Sequence, residues 1–275
     1  MSRKPKTVAA VVVLFLGVII VLFPLVWMIS TSLKPLSDAF SGGLIPSHPT
    51  LSNYESIFSA SSGAPVLRWL SNSLGVSISA SVLVMIIDSM AAFALARLRF
   101  ACRRIILNMA IASLVIPFIA VLIPLYLEFE SMNMLNTYWV LILPYTAHAF
   151  GVFLLYQFFS QIPKEFEEAA IIDGANKFQM WLRIFVPLSL PASATLGLLT
   201  FMNVYNDFFW PLVSTSSNNM RTMTVGIQIM AIGQYTSNAP LLMALTFISV
   251  IPMVIAFLIA QKQLTQGVAM TGINF

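Results

Sequence analysis

Side chains able to do chemistry are scarce in this chain. Among 275 residues there are 10 carboxylates, 2 histidines and 1 cysteine. The densest polar run lies at residues 163–187, where Glu165, Glu167, Glu168 and Asp173 flank the small pair Ala169-Ala170 and Gly174. A short helix with so little bulk at its centre lets another surface approach the backbone closely. A second set is Asn203, Asn206, Asp207 and Trp210, whose amides and carboxylate could hydrogen-bond hydroxyl groups. Phe201, Tyr205 and Trp210 add flat faces on which a ring could stack. Enzyme signatures are missing: the chain contains neither H-E-x-x-H nor G-x-S-x-G. No lysine follows a glycine, so the phosphate-binding G-x-x-x-x-G-K-[ST] loop is absent too. Cys102 alone excludes an internal disulfide and a cysteine-based zinc site, and it reads as a bystander in a basic turn. No catalytic residue, metal ligand or bound cofactor is expected in this chain.

The elements that must position these groups are built for a bilayer. Hydrophobic residues make up 59% and charged residues 9% of the chain, against roughly 45–50% and about 25% in soluble domains. The mean hydropathy is +0.89. The net charge of +4 is thus no nucleic-acid footprint but a matter of loop lysines and arginines. Arg3, Lys4 and Lys6 before an apolar run resemble a signal peptide, yet Thr7 to Leu33 holds 27 uncharged positions. Signal cores are about 7–15 residues long, so a retained transmembrane helix is predicted, with Trp27 as an interfacial anchor.

Six apolar segments follow, at about 8–30, 69–96, 105–127, 138–160, 188–213 and 239–260. Each can cross about 30 Å of hydrocarbon as a helix. The fold predicted is therefore an all-α membrane protein of six transmembrane helices, one integral-membrane domain over 1–275. With the N-terminus inside, inner segments hold eleven of the 14 lysines and arginines, and Lys34, Arg68 and Arg221 are the three outside. That excess puts both termini in the cytoplasm, and residues 161–187 with them. The outer segments 31–68 and 214–238 are short, and the first, with His48, Tyr54 and Phe58, reads as a partly helical cap.

Within 161–187 the spelling is that of a helical hairpin. Pro163 suits a first helical position, and the three glutamates after it suit the positive end of the helix dipole. Asp173-Gly174 should end that helix with a left-handed cap. Asn176 should cap a second helix through Arg183 and beyond, and Pro187 marks the turn into the fifth span.

Glu168-Ala169-Ala170, Gly174, Ile184 and Val186-Pro187 resemble the EAA signature of ABC-importer permeases, EAA…G…I.LP, with valine in place of the usual leucine. Asp173-Gly174-Ala175 matches its common D-G-A extension. Asn206 to Leu212 is similar to the N-[DE]-x-x-W-P-L pattern of maltose-type carbohydrate permeases, with Tyr205 where a tryptophan usually stands. Asn136-Thr137, Leu143-Pro144-Tyr145, Phe153-Leu154, Gln157-Phe158-Phe159, Gln261-Lys262 and Gln266-Gly267 extend the likeness over nearly the whole chain, as in the smaller permease subunit. The resemblance implies a permease subunit in a prokaryotic cell membrane, importing a carbohydrate by alternating access. It implies a homologous permease, two cytoplasmic ATPase subunits that bind ATP and Mg, and an extracytoplasmic sugar-binding protein as partners. Glu168, Ala169, Ala170, Asp173 and Gly174 would form the coupling helix that docks in an ATPase cleft, Glu168 offering its carboxylate to a basic group there.

Several residues keep two readings. Asn206 and Asp207, with Asn203 one turn before, belong either on the cargo path or to a structural cluster at the helix end; ionisable groups inside a span are costly in both cases. The aromatic residues either stack on cargo or pack the core. Asp88 reads as an interhelical contact neutralised by Arg97 or Arg99, Ser73, Ser77 and Ser81 as a packing stripe, and His148 as a hydrogen-bonded helix contact. Glu128 and Glu130 are expected in solvent. Rival functions are an ion-coupled secondary transporter, which would want paired intramembrane charges, and an intramembrane enzyme. Within the importer class, a glycerol phosphodiester or polyol is the alternative cargo. No lysine or arginine lies inside a predicted span, which favours a neutral sugar.

Overall fold

The computed structural model describes residues 4–39, 42–59, 64–233 and 238–271, with side chains described from Ala10 to Gln261. Arg3 and the side chains of Lys4, Lys6, Lys262 and Gln266 therefore lie outside the described residues. All regular structure among the described residues is helical. It divides into two compact units, Met1–Leu67 with Val225–Ile251, and Arg68–Thr224 with Pro252–Phe275.

The first unit opens with α1 (Lys4–Ser32), whose residues from Val11 to Phe23 leave their large apolar side chains exposed. Such a surface needs lipid or another protein against it. After α1 the chain folds back through α2 (Ser52–Phe58). The side-chain amide of Asn53 donates to the carbonyls of Ser32 (2.8 Å) and Lys34 (2.9 Å), satisfying the end of α1 that has no intrahelical partner. Lys34 is itself buried, its ammonium donating to the Gly43 carbonyl at 2.7 Å and lying 5.9 Å from the Trp27 ring. Lys34, counted among the three outer cations, is thus an internal tie.

The second unit is assembled on α3 (Val66–Arg97), an unbroken helix of 32 residues. In chain order follow α4 (Arg103–Ser113), α5 (Phe118–Ser131), α6 (Tyr138–Ile142) and α7 (Ala149–Gln161). The hairpin supplies α8 (Glu165–Ile172), α9 (Lys177–Met180) and α10 (Val186–Leu188). Then come α11 (Leu190–Asn206), α12 (Phe209–Ser214), α13 (Met223–Ile232) and α14 (Ala239–Thr271), the last two each having residues in both units.

Three apolar segments, those predicted at 8–30, 69–96 and 239–260, are single helices long and apolar enough to cross a bilayer. The other three are not straight. α4 and α5 meet at 103°, the pair Tyr138–Tyr145 and α7 at 43°, and the pair Lys177–Leu188 and α11 at 81°. Proline explains much of this. Pro117 has an extended backbone (φ −69°, ψ 137°), its ring excluding a continuous helix from α4. Pro144 lies in a single 3-10 turn, and His148 is extended before α7 starts. The predicted fifth segment, 188–213, is cut again at Asp207, so α11 has 17 residues, about 26 Å of helix.

Two core clusters stabilise the second unit. One lies beneath the hairpin, where Phe185 meets Phe93 (4.9 Å) and Phe159 (5.5 Å) edge to face. The other surrounds Trp210, with Val76, Ala80, Phe129, Val140 and Val204. Between helices in lipid the solvent is as apolar as the core, so close packing and hydrogen bonds carry the association. Gly151 shows how close: a Cβ there would stand 2.0 Å from Asp88 Oδ2.

Candidate functional site

The hairpin is closed by its own backbone. The Gly174 N–H donates to the Ile171 carbonyl (3.0 Å) and the Ala175 N–H to the Ala170 carbonyl (2.9 Å). With Gly174 at φ 76°, this is a Schellman cap, in which a residue bearing a Cβ would be strained. Asn176 then caps α9 reciprocally: its Oδ1 accepts from the Gln179 N–H (2.9 Å), and Gln179 Oε1 accepts from the Asn176 N–H (3.0 Å). Both predicted caps are present. Pro163 lies two residues ahead of the first helical residue, not at that position. The second helix runs past Arg183 as expected, through a π-helical turn at Trp181–Phe185 to Leu188.

One face of the hairpin is anchored and the other is free. Ala170, Met180, Trp181 and Phe185 are buried in the core beneath it. Glu168, Ala169, Asp173 and Gly174 are exposed, and Ile171 (55%) and Ile172 (86%) stand out beside them. Among the described residues the Glu168 carboxylate has no hydrogen bond or ion pair. A free carboxylate, two small or glycine positions and a pair of bare isoleucines thus share the exposed face of a capped helix. Nothing there resembles a nucleophile and base.

Arg97, the last residue of α3, fixes the hairpin to the bundle. Its Nη1 pairs with Glu167 Oε1 at 2.7 Å, and the two side chains are only 7% and 17% exposed. Its Nη2 donates to the carbonyls of Phe159 and Ile162 at the end of α7, and the guanidinium lies 5.1 Å from the Phe185 ring. Arg97 thus caps the negative end of one helix while holding the first turn of another. The expectation that Arg97 or Arg99 neutralises Asp88 is corrected here. Asp88 is fully buried and instead accepts from the His148 backbone N–H at 3.2 Å, at the start of α7.

The second set of candidate residues separates into three environments. Asn203 and Asn206, three residues apart on α11, are exposed, and their side-chain amides hydrogen-bond to nothing among the described residues. Asp207 has extended backbone, and its Oδ1 accepts from the Phe209 N–H (3.1 Å) while Oδ2 accepts from the Tyr145 hydroxyl. Its carbonyl accepts from Thr224 Oγ1 at 2.8 Å. Trp210 is fully buried, with its indole N–H on the Val140 carbonyl at 2.7 Å. Trp210 therefore belongs to the core and not to the face that carries the two asparagines. Phe201 and Tyr205 are buried as well, stacked on each other at 5.6 Å. A groove of about 690 Å³ beside α3 and α11 offers only Ser81 and Ser193 as polar side chains, so it is too apolar for a polyol.

Sequence reasoning did not find the Arg97–Glu167 and Tyr145–Asp207 pairs. Their partners are 70 and 62 residues apart, and no local spacing connects them. The serine stripe behaves as expected of packing: Ser77 and Ser81 bond back along α3, and Ser73 Oγ accepts from the Met223 N–H (2.8 Å). His148, Glu128 and Glu130 are exposed.

A family model described as the binding-protein-dependent transport system inner membrane component matches residues 88–270. The chain belongs to that family. It is an ABC-importer permease of the carbohydrate type. The permease is 37% identical over 249 residues to a putative ABC transporter permease of Caldicellulosiruptor sp. (strain Rt8B.4), covering 89% of this chain and 88% of that one. It is 34% identical to the sulfoquinovosyl glycerol transport system permease of Agrobacterium fabrum, over 99% of this chain and 95% of that one. A trehalose/maltose transport system permease of Thermococcus litoralis is 32% identical, over 95% of each. Among solved structures, a bacterial ABC transporter involved in the import of the acidic polysaccharide alginate superposes with a TM-score of 0.84 at 22% identity, covering 95% of the permease and 97% of that chain. That likeness bears on the fold alone.

Proposed function

We propose that the permease moves a carbohydrate into the cytoplasm by alternating access, with the hairpin 161–187 as its coupling element. The observation that carries this reading is the hairpin itself: doubly capped, pinned to the bundle by Arg97, and bare on the side of Glu168, Ala169, Ile172 and Gly174. In this reading that side docks in a cleft of a cytoplasmic ATPase, two copies of which bind ATP and Mg. A homologous permease completes the membrane pathway, and an extracytoplasmic binding protein delivers the sugar. In this reading the α4–α5 pair, the pair of Tyr138–Tyr145 with α7, and the segment that begins with α11 each count as one span, making six with the three straight helices. The lysine and arginine distribution puts both termini and the hairpin on the cytoplasmic face.

Asn203 and Asn206 are the residues of this chain assigned to the cargo path. Their amides are exposed and unengaged on one helix face, free to exchange water for sugar hydroxyls. Asp207 acts beside them as a brace, since both its carboxylate oxygens already accept bonds within the chain. A neutral hydroxyl-rich cargo suits amides better than a phosphate would. The relatives named for trehalose, maltose and sulfoquinovosyl glycerol support the class and leave the member open.

The test is reconstitution of the complete importer in proteoliposomes with its ATPase, second permease and binding protein. A panel of sugars is then assayed for stimulation of ATP hydrolysis and for uptake. Stimulation and uptake of the same sugar are expected; hydrolysis that no sugar-loaded binding protein changes would sink the reading.

A further inference from the structure

α3 is fastened at both ends by buried side chains. At one end stands Arg97, bound to Glu167 of the hairpin and to the end of α7. At the other, the Trp69 indole N–H donates to the Asn218 carbonyl (2.8 Å). Asn72 Nδ2 donates to the carbonyls of Asn219 (2.8 Å) and Arg221 (2.9 Å), while its Oδ1 accepts from the Tyr138 hydroxyl (2.8 Å). Ser73 completes the set by accepting from the Met223 N–H. Trp69, Asn72 and Ser73 are each only 2% exposed. The segment from Asn218 to Met223 thus hangs on α3 through its own backbone groups. No proline interrupts α3, and from Asn72 to Arg97 it spans about 38 Å at 1.5 Å per residue.

We propose that α3 is a transmission rod, and that Trp69, Asn72 and Arg97 are positioning residues that join it to the two surfaces it links. The proposal rests on the docking reading of the hairpin and extends it across the membrane. A hairpin moved by the ATPase pulls α3 through Glu167 and Arg97, and the 218–223 segment, which that reading makes extracytoplasmic, travels with the far end. Linkage is reciprocal, so a binding protein that prefers one setting of this segment biases the hairpin by the same factor. Packing alone would hold α3 in place; it would not require buried polar ties at both ends of one uninterrupted helix. Such ties resist sliding because each broken bond leaves a buried donor or acceptor unmatched.

The experiment uses the assembled importer in proteoliposomes, with Cys102→Ser and Asn219→Cys in the permease. Asn219 is exposed and contributes its carbonyl to the tie, so the reporter leaves the hydrogen bond in place. Labelling by a membrane-impermeant maleimide is timed without nucleotide and after trapping with Mg-ATP and vanadate. A rate change of roughly fivefold or more is expected. It should fall to near none in Glu167→Ala, which keeps Arg97 on α7 but removes the acceptor it pairs with, and in Asn72→Leu, which deletes both bonds to the Asn219 and Arg221 carbonyls at the far end. Arg97→Lys, keeping the charge, should retain part of the response. A full response in either Glu167→Ala or Asn72→Leu, or none in the reporter chain itself, overturns the rod. A cysteine at Ala169 tests docking separately by crosslinking to the ATPase. Crosslinking with a flat response at residue 219 sinks the rod alone; no crosslink sinks the docking reading and the rod with it.

Discussion

Glu168 and Glu167 are adjacent glutamates with different work. Glu167 is paired internally with Arg97, whereas Glu168 faces outward without a partner among the described residues. Glu168→Ala is therefore expected to leave folding and membrane insertion intact while uptake per ATP hydrolysed falls by roughly tenfold or more, the scale of one lost coupling contact of 1–3 kcal/mol. Uptake and hydrolysis measured on the same proteoliposomes check it, and wild-type coupling would remove Glu168 from the docking surface. At the opposite polar cluster, Tyr145→Phe deletes one donor to the Asp207 carboxylate. A hydrogen bond to a charged group contributes about 1.5–3 kcal/mol, so a lower unfolding temperature of the detergent-solubilised assembly is expected, with cargo specificity unchanged. A variant that unfolds like the original but takes up a different sugar would move Asp207 onto the path. Residue types in the sequence marked both clusters, but their partners were not legible, because Arg97 and Tyr145 reach them across 70 and 62 positions of chain.

Elements were legible where local rules decide them. The hairpin is the clearest case, since an Asx cap, a glutamine three residues later and a glycine at the corner are all near neighbours in sequence. Gly174→Ala forces a Cβ into the left-handed region, at a cost of about 1–2 kcal/mol, and Asn176→Ala removes the reciprocal cap, at about 1 kcal/mol. Together they are expected to speed proteolysis of the hairpin and reduce transport, while the α11 region stays protected; equal protection throughout would count against the cap. The spans were harder. Hydropathy marks where apolar residues are, but a helix breaks at a proline or where a polar side chain makes a tertiary contact. Asp207 illustrates this: its carboxylate caps the Phe209 N–H and takes the Tyr145 hydroxyl, which makes the cut after Asn206 tolerable in an apolar segment. Gly151→Ala tests a close contact between α7 and α3. A methyl group 2.0 Å from Asp88 Oδ2 must push α7 or Asp88 aside, and overpacking of about 1–3 kcal/mol should lower the folded yield.

For the whole molecule the sharpest expectation concerns sidedness. Cys102 is exposed and is the single cysteine of the chain, so an impermeant thiol reagent should label inside-out vesicles and spare right-side-out ones. The reverse pattern would invert the topology and detach the hairpin from any cytoplasmic ATPase. What the sequence determined by itself was the solvent, the helical class, the family and the capped hairpin. Each of these depends on composition, on charge counts or on residues within a few positions of one another, and short-range physics settles such features before the chain is packed. Tertiary structure alone decided which groups are joined: Arg97 to Glu167 and not Asp88, Trp210 to Val140 and away from the exposed asparagines, the 218–223 segment to α3. These choices follow from which helices lie side by side. In a membrane, close packing and long-range hydrogen bonds govern that, and the uniform apolarity of the spans does not encode it.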